Sequence, residues 1–181
     1  LFLYDPDVLN ARHDPREDGA PRFDGAIKMD LDVDAQPENV HWSKPPLELA
    51  VTHTSGTKFR LIGVHAKSKA PHGAKTDAEV MRISIENRRK QLAQCTWLRR
   101  RVEAHLEVGD NLIVLGDFND GPGLDEYEKL FGRSGVEIVL GEGDSEQLFD
   151  PHALMALSQR IGVVPVTARF IVGPERRFLS A

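Results

Sequence analysis

Cysteine is nearly absent. The 181 residues hold one, Cys95, so no internal disulfide can form and the fold does not depend on an oxidising compartment. Cys95 falls on the apolar side of a stretch with helical periodicity, where a small buried side chain is the expected role rather than a nucleophile. Long hydrophobic runs are missing too: none approaches the roughly 18 to 20 residues needed to cross a bilayer. The opening Leu1-Phe2-Leu3-Tyr4-Asp5-Pro6 lacks a basic segment followed by an apolar core and a cleavage site, so no targeting segment is visible and the compartment is left open. Nor is there a basic excess. A formal charge of −5 and a pI near 5.8 argue against a domain that grips a polyanion through its overall field, while leaving room for local contacts.

What is present fits one globular domain spanning residues 1–181, a length that can bury a substantial core. Hydrophobic residues at 40% and charged residues at 28% place the chain outside the disordered, collagen-like and membrane classes. The first residue is not methionine, and the chain stops on Phe178-Leu179-Ser180-Ala181 without a turn or cap. We therefore expect both ends to have been cut from something longer.

Residues 5 to 46, rich in Asp, Pro and His, read as turns around short strands at Ala26 to Leu31 and Val40 to Trp42. Asp30, Asp32 and Asp34 alternate as in a calcium loop, but the glycine and terminal glutamate of such a loop are missing, so a solvated strand face is the better reading. Leu47 to Thr52 and Lys58 to His65 are β-rich runs joined by Thr54-Ser55-Gly56-Thr57, and predict two adjacent antiparallel strands. The polar loop Ala66 to Lys75 follows. Thr76-Asp77-Ala78-Glu79 has the form of a capping box, and Val80, Ile83, Leu92, Cys95, Leu98, Val102 and Leu106 recur near a period of 3.6. One long amphipathic helix is predicted over residues 77 to 107, with Gly109 as its stop and Arg82, Arg89, Arg100 and Glu103 on a solvated face. Asn111-Leu112-Ile113-Val114-Leu115 reads as a strand buried on both faces of a sheet. A short helix at Asp125 to Phe131, a strand near Val136 to Leu140 and a helix at His152 to Ser158 complete the pattern.

The buried strand ends abruptly in Gly116-Asp117-Phe118-Asn119-Asp120-Gly121-Pro122-Gly123. Ligands of open α/β structures gather at the carboxyl ends of strands. A carboxylate and a carboxamide two residues apart at such an end can converge on one phosphate, Asp117 orienting water or holding a metal and Asn119 hydrogen-bonding a phosphoryl oxygen. The plainer reading is a turn, since Asp, Asn and Gly dominate turns. His65 ends the preceding strand, where it can donate a hydrogen bond to a phosphate oxygen with Lys67 or Ser68 beside it, although a histidine there is often purely structural.

The succession Val64-His65-Ala66-Lys67-Ser68, then a helix bearing Arg88-Arg89-Lys90-Gln91, then Leu115-Gly116-Asp117-Phe118-Asn119 resembles the endonuclease/exonuclease/phosphatase superfamily, similar to deoxyribonuclease I. The resemblance covers about residues 45 to 130, and Pro45-Pro46-Leu47-Glu48-Leu49 looks like the strand that precedes this block in bacterial members. It implies an α/β (α+β) fold in which two mixed or antiparallel β-sheets flanked by helices form a four-layer sandwich. It implies a metal-dependent phosphodiester or phosphomonoester hydrolase using Mg²⁺ (or Mn²⁺ or Ca²⁺), with a nucleic acid, a phospholipid head group or a small phosphodiester as substrate; no obligate protein partner is evident in the sequence. By resemblance Asp117 and Asn119 match the catalytic aspartate and its asparagine, Asp117 also being the metal-binding candidate. His65 matches the histidine on the scissile phosphate; Lys67, Ser68 and Arg88 are candidates for substrate binding, Arg88 and Gln91 also resembling positions that pack behind the site. The family's upstream asparagine and glutamate and its terminal aspartate–histidine pair are not found here, and His152 follows Pro151 rather than an aspartate. An internal portion of an enzyme is the simplest account; a non-catalytic binding or scaffold relative of the same fold is the alternative.

Overall fold

The structure is a computed structural model that describes residues 1–30, 36–121, 132–158, 166–172 and 175–180, with side chains up to Met155 and at Ser158. Its elements run β1 (Leu9–His13), β2 (Ile27–Met29), β3 (Glu38–Val40), β4 (Leu47–His53), β5 (Lys58–His65), α1 (Asp77–Glu107), β6 (Leu112–Asp117), α2 (Gly135–Leu140), α3 (Pro151–Leu157), β7 (Val166–Val172) and β8 (Glu175–Ser180). The class is mixed α/β. A four-stranded sheet has the order β1-β4-β5-β6, and β2-β3 and β7-β8 form two-stranded antiparallel sheets.

Strands β4 and β5 pair antiparallel as predicted, Leu49 opposite Leu61 and Val51 opposite Phe59. From β5 the chain crosses through α1 and returns as β6, which pairs parallel to β5. A parallel pair needs such a crossover, and it brings the carboxyl ends of both strands to the same edge. The long helix begins at the predicted capping box: Thr76 accepts from the amide of Glu79 while Glu79 reaches back to the amide of Thr76.

Alternation along the strands gives the sheet two apolar faces. One, with Ile62, Val64, Leu112 and Val114, packs with Ala93, Trp97, Leu98 and Val102 of α1. Phe23, Trp42 and Trp97 form an aromatic cluster in the same core, with ring centroids 5.6 to 6.5 Å apart. The other face gathers Leu49, Val51 and Leu61 with Phe2, Leu9, Ala11, Leu47 and Phe59. Burying roughly 150–250 Å² for each large aromatic makes the first core the stronger contributor.

Several expectations are corrected. Strand β6 is half-buried on one face only, through Leu112 and Val114, while Ile113 and Leu115 stay 47% exposed at the edge of the sheet. Residues 135–140 form a helix, not a strand. Ser134 and Glu137 make a second capping box there, and Ile138 and Val139 pack into the core beside α1, so local capping and burial override the β-branched composition. Strand β1 was masked in the sequence by its Asp-, Pro- and His-rich surroundings, and β7 and β8 were not anticipated. The face of α1 turned inward is more polar than its periodicity suggests, burying Asn87, Arg88, Gln91, Gln94 and Arg101 as well as the apolar set. The predicted helix at 125–131 and residues Asp32 and Asp34 lie outside the described residues.

Candidate active site

Parallel pairing sets His65 directly beside Asp117, and the amide of Ala66 donates to the carbonyl of Asp117 at 2.8 Å. The step before this point is occupied by Gly116, at φ 140°; a Cβ there would lie 2.0 Å from the carbonyl oxygen of Val64. Glycine is thus required where β6 closes on β5 just ahead of the aspartate. Both His65 and Asp117 are exposed at the strand ends.

Asn119 takes the left-handed conformation, φ 52°, which asparagine tolerates better than other non-glycine residues. Three hydrogen bonds hold it, and a fourth holds the carbonyl of Phe118 before it. Its amide donates to Oδ1 of Asp117 at 2.8 Å, and its Nδ2 donates to the carbonyl of Ala66 at 2.9 Å. Nε2 of Gln91 donates to the carbonyls of Phe118 at 2.7 Å and Asn119 at 2.9 Å. A carboxamide has two N–H groups, so with one given to Ala66 the other can serve a phosphoryl oxygen.

Behind this loop lies Asp120, whose side chain is fully buried. Its carboxylate accepts from Nη1 of Arg88 at 2.7 Å, from Nζ of Lys69 at 3.1 Å and from the amide of Gly135 at 2.6 Å. Arg88 also donates to Oε1 of Gln91. The four side chains form one network that reaches from α1 to the backbone of Asn119.

The structure therefore brings His65, Asp117 and Asn119 together and separates Arg88 from them. Arg88 is 1% exposed and directed at Asp120 and Gln91, which places it behind the loop rather than on a surface a substrate could reach. Lys67 and Ser68 are half-buried in the loop after β5: the amide of Lys67 donates to Oε1 of Gln94 at 2.8 Å, and Oγ of Ser68 accepts from the amide of Ala70 at 3.2 Å. Asp120 and Lys44 were missed by the sequence reading. Lys44 lies 3.2 Å from Nδ1 of His65; since an ammonium only donates, that nitrogen accepts and the proton of neutral His65 sits on Nε2. The usable signal for Asp120 was on the helix: Arg88 and Gln91, three apart on a buried face, need an acceptor.

Asp117 is an oxygen donor of the kind magnesium takes, and a magnesium site commonly uses one or two carboxylates with waters and substrate phosphate filling the rest. The residues fit that role at one ligand; among the described residues no group of three or more His, Cys, Asp or Glu side chains converges to hold an ion. A cavity of about 690 Å³ adjoins Asp117 and Asn119, walled by Leu115, Val136, Val139, Leu148 and Phe149. Its size lies within the range of ligand pockets. Among the described residues no helix is long and apolar enough to cross a membrane. Comparison of the chain with family models, with curated proteins and with solved structures finds no match in any of the three.

Proposed function

We propose that this chain carries the central part of a divalent-metal-dependent phosphoric ester hydrolase of the endonuclease/exonuclease/phosphatase type. The observation that carries this reading is the pairing of His65 with Asp117 at adjoining carboxyl ends of parallel strands, with Asn119 anchored in a left-handed turn against both. A structural turn has no need of an exposed histidine at its side or of a buried network behind it.

In this mechanism water attacks phosphorus as the P–O bond to the ester alcohol breaks; the departing alkoxide takes up a proton from solvent, to which the attacking water releases its own. Asp117 orients the water through its carboxylate, and the remaining N–H of Asn119 together with Nε2–H of His65 donates to the phosphoryl oxygens as charge grows on them. Asp117 would also hold Mg²⁺, which when bound offsets negative charge on the phosphate. The sheet with α1 would then be half of a four-layer sandwich, a second sheet covering the face that leaves Ile113 and Leu115 exposed.

The test is hydrolysis of bis-p-nitrophenyl phosphate by the full-length gene product, with Mg²⁺ or Mn²⁺ and with excess EDTA. Turnover that EDTA abolishes and the metal restores supports the reading. Silence with every metal removes it in favour of a non-catalytic binding relative.

A further inference from the structure

We infer that Asp120 is a positioning residue, one that fixes the direction of the Asn119 carboxamide and through it the phosphate contact; the catalytic part of this inference rests on the function proposed above.

A carboxylate with no exposed surface survives only if donors replace its water. Among the described residues Asp120 has three donors besides its own loop: Arg88 from α1, Lys69 from the loop after β5 and the amide of Gly135 from the start of α2. It therefore ties together three segments otherwise far apart in sequence, and it does so at the residue directly after Asn119. On the other side, Arg88 grips Gln91, and Gln91 holds the carbonyls of Phe118 and Asn119. Asn119 is thus clamped from behind through its carbonyl and from ahead through its neighbour. The fit is close, since a Cβ on Gly135 would stand 2.9 Å from Oδ2 of Asp120 and 2.7 Å from Sγ of Cys95.

The geometry excludes direct contact of Asp120 with a substrate, because the carboxylate is enclosed. Its effect reaches the site through the backbone. Replacing the carboxylate by a carboxamide keeps the shape but presents N–H groups to donors: with the NH₂ at the Oδ2 position Arg88 and the Gly135 amide both lose their acceptor, and at the Oδ1 position Lys69 and the Gly121 amide do. The clamp on Asn119 then loosens. A shift near 1 Å in a group that contacts the reacting phosphate can lower turnover by about 10²-fold.

The experiment uses Asp120→Asn in the full-length gene product, with Glu48→Gln as control. Glu48 is the other carboxylate buried against an arginine of α1, paired with Arg101 at 3.2 Å and away from the loop. Two quantities are read: the ¹H–¹⁵N signals of the Asn119 side chain, and kcat and KM for bis-p-nitrophenyl phosphate with Mg²⁺. The expected result is that Asp120→Asn moves the Asn119 signals and lowers kcat about 10²-fold at nearly constant KM, while Glu48→Gln does neither. Lys69→Met removes a partly exposed partner of Asp120 and keeps the inference testable if Asp120→Asn fails to fold; it is expected to shift the same signals by less. Asn119 signals unmoved in a folded Asp120→Asn or Lys69→Met protein would overturn the inference. The signals report whether or not the wild type hydrolyses the ester, so failure of the inference and failure of the proposed function are told apart.

Discussion

The two ends of α1 solve the same problem for different purposes. Toward its N-terminal half Arg88 is buried against Asp120; toward its C-terminal half Arg101 is buried against Glu48. Around Arg101 the surroundings are structural. Its guanidinium donates to the carbonyls of Ala20 at 2.8 Å and Pro21 at 3.2 Å and also to that of Arg16, and it lies 5.5 Å from the ring centroid of Phe23. This end fastens the irregular N-terminal segment to the helix. Burial pushes the Glu48 carboxyl up from the usual range even though Arg101 pulls it down, and burial lowers Arg101. Around Arg88, by contrast, Asp120 and Gln91 lead to the loop that carries Asp117 and Asn119, and the carbonyl of Arg133, 3.4 Å away, to the start of α2. One helix thus anchors the chain at one end and aims a candidate phosphate site at the other. A buried ion pair alone signals neither role; its further partners do.

Removing each arginine separates the two ends. Breaking a buried pair by deleting one partner costs about 3–5 kcal/mol, so Arg88→Met and Arg101→Met are both expected to lower the denaturant midpoint in urea unfolding. Arg101→Met falls at the lower end of that range, because Glu48, already biased toward its neutral form, can take up a proton when its partner is lost. Only Arg88→Met is expected to reduce hydrolysis beyond its effect on the folded fraction. Equal losses of activity from both would erase the distinction.

Overpacking at one point sharpens it. Gly135→Ala forces a methyl against Sγ of Cys95 and the Asp120 carboxylate, for which we expect a loss of about 1–3 kcal/mol by thermal denaturation and a displaced Asn119 signal. Cys95, enclosed there, has its thiol pushed up to about 12 by burial, with the Asp120 charge adding to the effect. It is expected to resist alkylation at pH 8 until the fold opens, as measured by mass spectrometry with iodoacetamide.

The smallest expected effect is one of pH at the anchoring end. Burial lowers His105 below the ordinary histidine range, against the pull of Asp110, whose Oδ2 lies 2.8 Å from its Nδ1. The unfolded chain then binds the proton more readily than the folded one. The contribution of His105 is fully present above its ordinary value of about 6.5 and is lost as pH falls from there through the lower folded value. The thermal midpoint should decline over that window in the wild type and decline less in His105→Gln.

The elements whose order the sequence revealed are those with a local physical signature. Thr76 and Glu79 announced α1, the alternating runs announced β4 and β5, and the apolar run ending at Gly116 announced β6. The capping signal Ser134-Gly135-Val136-Glu137 was equally present, but the β-branched residues after it read as a strand. In the site, His65, Asp117 and Asn119 were legible because each sits at the end of a recognisable strand. Asp120 was not, since a carboxylate in a turn looks solvated until the helix that covers it is placed. For Arg88 the resemblance offered two places, on the substrate or packed behind the site; its partner Asp120, 32 residues away, was not legible. Non-local pairing of polar groups leaves no periodic trace in a single sequence.

The most direct test of the account is the rate of Mg²⁺-dependent bis-p-nitrophenyl phosphate hydrolysis by the full-length gene product and by its Asp117→Asn variant. Asp117 is exposed, and its asparagine replacement can still accept from the Asn119 amide, so the fold should be kept while turnover falls by about 10³-fold or more. Turnover unchanged in the folded variant would contradict the assignment of chemistry to this strand end.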